Sequence, residues 1–332
     1  MLNKEKLKNT KFYIGPMSKN IVDTILDFSI NEKTNVGIIP TRRQIDYNGG
    51  YVNDWTTDNF FKYVENKKND HIIFERDHGG INQGVYQDNG TSSLYTDAKL
   101  FDIIHIDPWR YYNSPSYRFD ALKETANNIK YINKLNPNCF FEIGTEESIY
   151  KFDEIKLKQM LIYLKNDLGN ELFDKIIYCV IQSGTKLEGT KNIGNFNINR
   201  LKKMLNVCDE YNILSKEHNG DYLTPEQLKL RFDVGLSAIN IAPEFGVYET
   251  DILLEYMNNE QIEKFFKICY LSNKWEKWVN EKFNPMKDKI ELIRICGHYN
   301  FSNPEFINMN INIDDIIKQR LYEKLKKLNK IL

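Results

Sequence analysis

Eight short runs of apolar, largely β-branched residues recur along this chain, each followed by glycine, proline or polar residues and then by a stretch with helical spacing. The runs are Phe12 to Gly15, Val36 to Pro40, Ile72 to Glu75, Ile103 to Ile106, Phe140 to Ile143, Ile176 to Ile181, Ile213 to Lys216 and Ala238 to Ala242. Strands that alternate with helices are joined by crossovers, so they pair in parallel, and eight such units close a barrel. The expected fold class is therefore α/β: a (β/α)8 TIM barrel over residues 1–250, with a helical C-terminal extension over 251–332 packed on it. Helix starts are expected at Ser18 and at Thr224-Pro225-Glu226, where a capping hydroxyl precedes a proline at the first helical position. A further strand is expected at Ile290 to Cys296.

Charge and cysteine content remove several function classes. The 332 residues carry 45 basic and 46 acidic side chains, a net charge of -1, so no field is available to hold a polyanion, and nucleic acid is not an expected partner. Five cysteines, odd in number and without a CxxC pair, argue against a disulfide framework and against a thiolate zinc site. No run approaches the ~20 apolar residues of a membrane span, and the start of the chain has no apolar leader core. A cytoplasmic protein without a membrane partner is expected.

The residue types that do chemistry fall just after the apolar runs, where a barrel of this kind builds its site. Arg42, Arg43, Gln44 and Asn48 follow the second run, Asp77 and His78 the third, and His105-Ile106-Asp107 ends the fourth. Glu142 and Glu146 belong to the fifth, Lys186 and Glu188 to the sixth, His218 and Asp221 to the seventh, Asn240 and Glu244 to the eighth. So many acids and imidazoles at one mouth would repel or take up protons unless a divalent cation gathered them. His78 and His218, with one or two of Glu142, Glu146 and Glu188, would make a nitrogen and oxygen site suited to zinc first, and to manganese or cobalt. Asp77 is the candidate proton-transfer group, its alternative being to orient His78. Glu146 or Glu244 is the candidate second acid or base. Arg42 and Arg43 suit a phosphate or carboxylate. Gln44, Asn48, Asp107, Lys186, Asp221 and Asn240 are expected to contact the substrate. His298, in the extension, either folds over the mouth or is structural.

In this order the motifs resemble the class II aldolase superfamily: Asp77-His78, His105-Ile106-Asp107, Ile143-Gly144-Thr145-Glu146, Gln182-Ser183-Gly184 and Glu217-His218-Asn219-Gly220-Asp221-Tyr222. The likeness is greatest to the accessory, non-catalytic subunit of tagatose-bisphosphate aldolase and to related ketose-phosphate or hexuronate 4-epimerases. The resemblance implies metal-dependent retro-aldol and aldol chemistry on a ketose. It makes Asp77 the group that handles the hydroxyl proton and His78 and His218 metal ligands. Where those aldolases carry a further ligand histidine, this chain has Lys186-Leu187-Glu188-Gly189, so Glu188 is expected to replace it, or the third ligand to come from elsewhere. Their phosphate-binding Gly-Ser-Gly type of loop is also absent, and Asn219-Gly220-Asp221-Tyr222 stands in its place.

The expected function is thus a metal-dependent epimerase or aldolase for a ketose, ketose phosphate or ketohexuronate, with C4 epimerisation favoured over net cleavage. Two other readings stay open. One is a stabilising partner subunit of a tagatose-bisphosphate aldolase, which implies an incomplete metal site. The other is a metal-dependent isomerase that moves a proton between carbons. The expected partners are a small sugar or sugar phosphate and a homo-oligomer or an aldolase subunit.

Overall fold

The computed structural model describes residues 4–109, 111–112, 118–145 and 152–332. Its centre is a closed barrel of eight parallel strands, β1 (Phe12–Ile14), β2 (Val36–Ile38), β3 (Ile72–Gly79), β4 (Ile103–Ile106), β5 (Phe140–Ile143), β6 (Ile176–Ile181), β7 (Leu214–Glu217) and β8 (Ala238–Ile241). Each strand pairs with its neighbours in sequence, and β8 returns to β1 through Phe12 opposite Ile239. An α-helix follows every strand, from Lys19–Glu32 after β1 to Pro243–Tyr256 after β8. Ser18 caps the first of these and accepts from the Ile21 amide. Thr224 forms a reciprocal capping box with Gln227 ahead of Pro225. Both starts sit where the sequence signals put them.

Strand alternation sorts the side chains into two layers. Phe74, Ile104, Ile106, Phe141, Ile143, Ile239 and Ile241 face outwards and pack with the helices in one large apolar cluster. Ile73, Ile103, Leu214 and Ala238 belong to a smaller cluster inside the barrel, closed at the amino ends of the strands by Leu7 of the short helix Lys4–Lys8. Gly37 is needed at its place in β2, because a Cβ there would lie 1.9 Å from the Tyr13 ring that fills the interior. Outward polar residues stitch strands to helices through buried ion pairs. Arg76 meets Asp97 at 2.8 Å, and Arg231 meets Glu217 at 2.9 Å. All five cysteines are buried free thiols.

Beyond the eighth helix the chain continues through the helices Asn259–Leu271, Lys289–Cys296, Pro304–Ile307 and Asp314–Asn329. The expected strand at Ile290 to Cys296 is therefore corrected to a helix: Leu292, Ile293, Ile295 and Cys296 are buried, the spacing of one helical face. The last helix lies on Lys19–Glu32, where Ile317, Leu321 and Leu325 are buried and Tyr322 donates to Glu32 at 2.7 Å. Each of those three side chains stabilises the docking by roughly 1.5–3 kcal/mol. Among the described residues, no helix is long and apolar enough to cross a membrane.

Candidate metal centre and active site

Continuing the inward register of each strand towards its carboxyl end replaces apolar side chains by titratable ones. Ile73, Glu75 and Asp77 lie on one face of β3, Ile103 and His105 on one face of β4, and Leu214, Lys216 and His218 on one line through β7. The top layer brings Asp77, His78, His105 and His218 together, with one potential ligand atom from each within 4.8 Å of the others.

Adjacent strand residues point to opposite sides, so Asp77 and His78 share this site only because β3 is irregular. The pairing with β4 slips between Arg76 and Gly79, and His78 has φ 48°, in the left-handed region. That conformation is rare for a residue with a Cβ, though histidine tolerates it better than most, and here it turns the imidazole inwards.

The three rings are held alike. His78 Nδ1 lies 2.7 Å from Asp107 Oδ2, His105 Nε2 3.2 Å from the Gly144 carbonyl, and His218 Nε2 2.6 Å from Glu142 Oε1. All three partners only accept, which favours a ring proton on the outer nitrogen and turns the inner nitrogen towards the centre. The His78 amide lies 3.4 Å from His105 Nδ1 and agrees with that tautomer. Gly144 supplies its carbonyl at φ 115°, with Val180 atoms 3.1 Å from where a Cβ would stand. The inner nitrogens converge on Asp77 Oδ1, at 3.6 Å for His78, 3.5 Å for His105 and 3.9 Å for His218. These separations are too long for hydrogen bonds, and Asp77 Oδ1 is a buried oxygen without a hydrogen-bond partner. Ligand atoms ~2.0–2.1 Å from a tetrahedral ion stand roughly 3.4 Å apart, so the residues fit a divalent cation with nitrogen and oxygen ligands. Burial works to raise the Asp77 carboxyl, and His78, His105 and His218 outweigh it, so it stays below its usual range.

Beside the cluster lies a cavity of about 210 Å³, walled on the barrel side by Arg43, Gln44, Asp221 and Asn240 and on the extension side by Lys277, Trp278 and Tyr299. The Asn240 amide is buried, with neither its oxygen nor its nitrogen hydrogen-bonded. Asp221 Oδ1 accepts from the Ala242 and Glu244 amides, both at 2.8 Å. Burial, and then the nearby Glu244 carboxylate, push the Asp221 carboxyl up to about 7. A larger depression of about 410 Å³ on the flank, between Ser18 and Asp314, has no histidine in its wall.

Several residues expected at the mouth have other places. Glu188 is not in the cluster: after β6 the chain forms a small hairpin, Leu187–Glu188 with Lys191–Asn192, and the Glu188 carboxylate accepts from Asn280 at 2.7 Å on the extension side. The third imidazole is His105, which stands within β4 rather than beyond it. Arg42 is buried and bound to Asp46, Asp88 and the Gly80 carbonyl, so it braces the loop, and only Arg43 of that pair lines the cavity. Asn48 and Lys186 are exposed and outside the cavity wall. Asp107 faces His78 and also accepts from Gln83, so it orients a ring. Glu244 binds the Tyr222 amide at 2.6 Å and the Lys324 ammonium, outside the cavity wall. Glu146 lies outside the described residues. His298 is buried between Gly246 and the rings of Tyr51 and Tyr299, and burial, then Lys277 and Lys274, push it down to about 3.

No family model matches this sequence, and no curated protein matches it. Solved structures do. A probable tagatose 6-phosphate kinase from Sinorhizobium meliloti 1021 superposes with a TM-score of 0.76 over 93% of this chain and 87% of its own, at 16% identity. The fructuronate-tagaturonate epimerase UxaE from Cohnella laeviribosi gives 0.64 over 98% and 81%, at 11% identity. The YdjI aldolase from Escherichia coli K12 gives 0.53 over 93% and 94%, at 9% identity. The barrel is a shared fold. These neighbours agree with the group of proteins to which the order of motifs points, but one fold serves many reactions, so the chemistry must be argued from the site.

Proposed function

We propose that the chain is a metal-dependent enzyme acting on a ketose, a ketose phosphate or a ketohexuronate by retro-aldol and aldol chemistry, with inversion at C4 as the net reaction. The observation that carries this reading is the convergence of three imidazole nitrogens on the buried, unpartnered Oδ1 of Asp77. His78, His105 and His218 would hold the ion, a three-nitrogen set of the kind that leaves a position open for substrate. A bound divalent ion supplies a Lewis acid that polarises the substrate carbonyl.

The remaining steps belong to side chains. Asp77, ionised at neutral pH, takes the proton of the C4 hydroxyl. The C3–C4 bond then breaks, leaving an aldehyde at C4 and the electron pair in an enediolate. Re-addition to the other face of the aldehyde, with the proton returned from Asp77, gives the C4 epimer. Asp221, poised near neutral pH, can hold a proton for a second substrate oxygen, and the Asn240 amide offers both a donor and an acceptor to a hydroxyl. Arg43 and Lys277 suit a substrate with an anionic group.

The names of two fold neighbours, an aldolase and an epimerase for two ketohexuronates, support the reading. The test is incubation of zinc-, manganese- or cobalt-loaded protein with a panel of ketoses, ketose phosphates and ketohexuronates in deuterium oxide. The expected product is a C4 epimer with no deuterium on carbon. Carbon-bound deuterium indicates proton-transfer isomerisation, and metal-replete protein without turnover indicates a partner subunit; either outcome overturns the proposal. Asp77→Asn is expected to keep the metal and lose turnover, and loss of the metal would make Asp77 a ligand instead.

A further inference from the structure

Beneath the histidines the barrel interior holds a buried cation that the proposed reaction does not use. Lys216 is the one fully buried lysine among the described residues. Its ammonium lies 2.5 Å from Glu75 Oε2 and 2.7 Å from Glu142 Oε2, and 3.7 Å from the centre of the Tyr13 ring. Tyr13 donates to Tyr178 and Tyr178 to the Leu7 carbonyl, so their hydroxyls are occupied and they meet the ammonium with their faces. The two oxygens of Glu142 are divided. Oε2 faces Lys216, and Oε1 faces His218 Nε2 at 2.6 Å.

We propose that Lys216 is a positioning residue of the candidate metal centre: by pinning Glu142 Oε2 it holds Oε1 against His218 Nε2, and so keeps His218 Nδ1 turned towards Asp77. An ionised carboxylate only accepts, so the ring proton must sit on Nε2. Without the ammonium, the interior side of the Glu142 carboxylate keeps only its contact with the Glu75 side chain, and the hold on His218 is loosened. The value of this arrangement rests on the cluster being a metal centre, whereas the ring tautomer can be read in metal-free protein. Glu75 separates positioning from mere charge burial. It contacts Lys216 but not His218, so Glu75→Gln should leave the centre intact, because an amide oxygen still accepts from the ammonium.

The test has two parts. Nitrogen NMR of metal-free protein labelled on its five histidines should show His218 with its proton on Nε2; a proton on Nδ1 in wild type overturns the proposal even if metal binds. Chelator competition with zinc should then show Lys216→Met and Glu142→Gln each weakening affinity by about 10- to 100-fold, the usual loss for groups that orient a ligand. Because both act through the same oxygen atoms, the double variant should be no weaker than Glu142→Gln alone, and Glu75→Gln should stay within about threefold of wild type. Wild-type affinity in Lys216→Met, or additive losses in the double variant, overturns the proposal. If Lys216→Met does not fold, Lys216→Met/Glu75→Leu removes the cation with one acid, and the same loss of zinc affinity is expected of it; wild-type affinity there is again decisive against the proposal. Zinc binding absent from wild type removes the metal centre itself, and the tautomer result then stands alone.

Discussion

Replacing His105 by alanine tests the imidazole of the centre to which the sequence alone assigned no role. The ring contributes one inner nitrogen 3.5 Å from Asp77 Oδ1 and one outer nitrogen 3.2 Å from the Gly144 carbonyl, and it is fully buried. Structural zinc sites with four ligands release ~10–16 kcal/mol on binding, so one ligand accounts for about 3 kcal/mol and its loss for roughly a 100-fold or greater fall in affinity. Two further costs fall on the metal-free protein: a buried carbonyl left without a donor, about 1–3 kcal/mol, and the cavity left by the ring. Affinity is therefore read by competition with a chromophoric chelator at a temperature where both proteins are folded, and stability separately by urea denaturation of the metal-free forms. The expected result is weak metal binding by His105→Ala, comparable to His78→Ala. If His105→Ala binds within about threefold of wild type while His78→Ala fails, His105 is a packing residue and the three-imidazole account is wrong.

Glu188→Gln is expected to leave metal affinity and turnover unchanged, since Glu188 pairs with Asn280 away from the cluster; a loss of metal in that variant would restore it as a ligand. Arg42→Met should destabilise the protein by about 3–5 kcal/mol in urea, because it strands the buried Asp46 carboxylate 2.8 Å away, whereas an unchanged midpoint would mean that the pair is solvated. Asp221 binds its proton more tightly folded, with a pKa of about 7, than unfolded, near 3.9, so its protonated form favours the fold at low pH and the advantage fades as pH rises through that window. Relative to Asp221→Asn, wild type should thus lose up to about 4 kcal/mol between pH 4 and 7.5, and a difference that is flat or grows with pH contradicts the buried, acid-flanked placement.

The barrel was legible because its signal is periodic and repeated: each of the eight apolar runs overlaps a strand of the closed sheet. The segment Ile290 to Cys296 misled because β-branched residues, abundant throughout this isoleucine-rich chain, suggest a strand even where Leu292, Ile293 and Cys296 keep helical spacing. At the site, the rule that chemistry follows a strand end singled out Asp77, His78 and His218, which the barrel brings together, and Glu188, which the hairpin after β6 places against Asn280 of the extension instead. His105 stood in the fourth of those motifs but was given no role as a ligand, because it lies between Ile104 and Ile106, inside the strand. Period-two alternation carried the missing information, for Ile103 and His105 share the inward face. The slip of β3 and the left-handed His78, which let two adjacent residues face one centre, have no signature in a single sequence beyond the glycines that follow.

X-ray absorption of the cobalt- or zinc-loaded protein puts the central claim to its most direct test. About one ion per chain is expected, bound by three imidazole nitrogens at ~2.0–2.1 Å with the remaining ligands oxygen, and loss of one imidazole's scattering in each of His78→Ala, His105→Ala and His218→Ala. A shell of oxygen alone, or protein that takes up no stoichiometric metal, would contradict it.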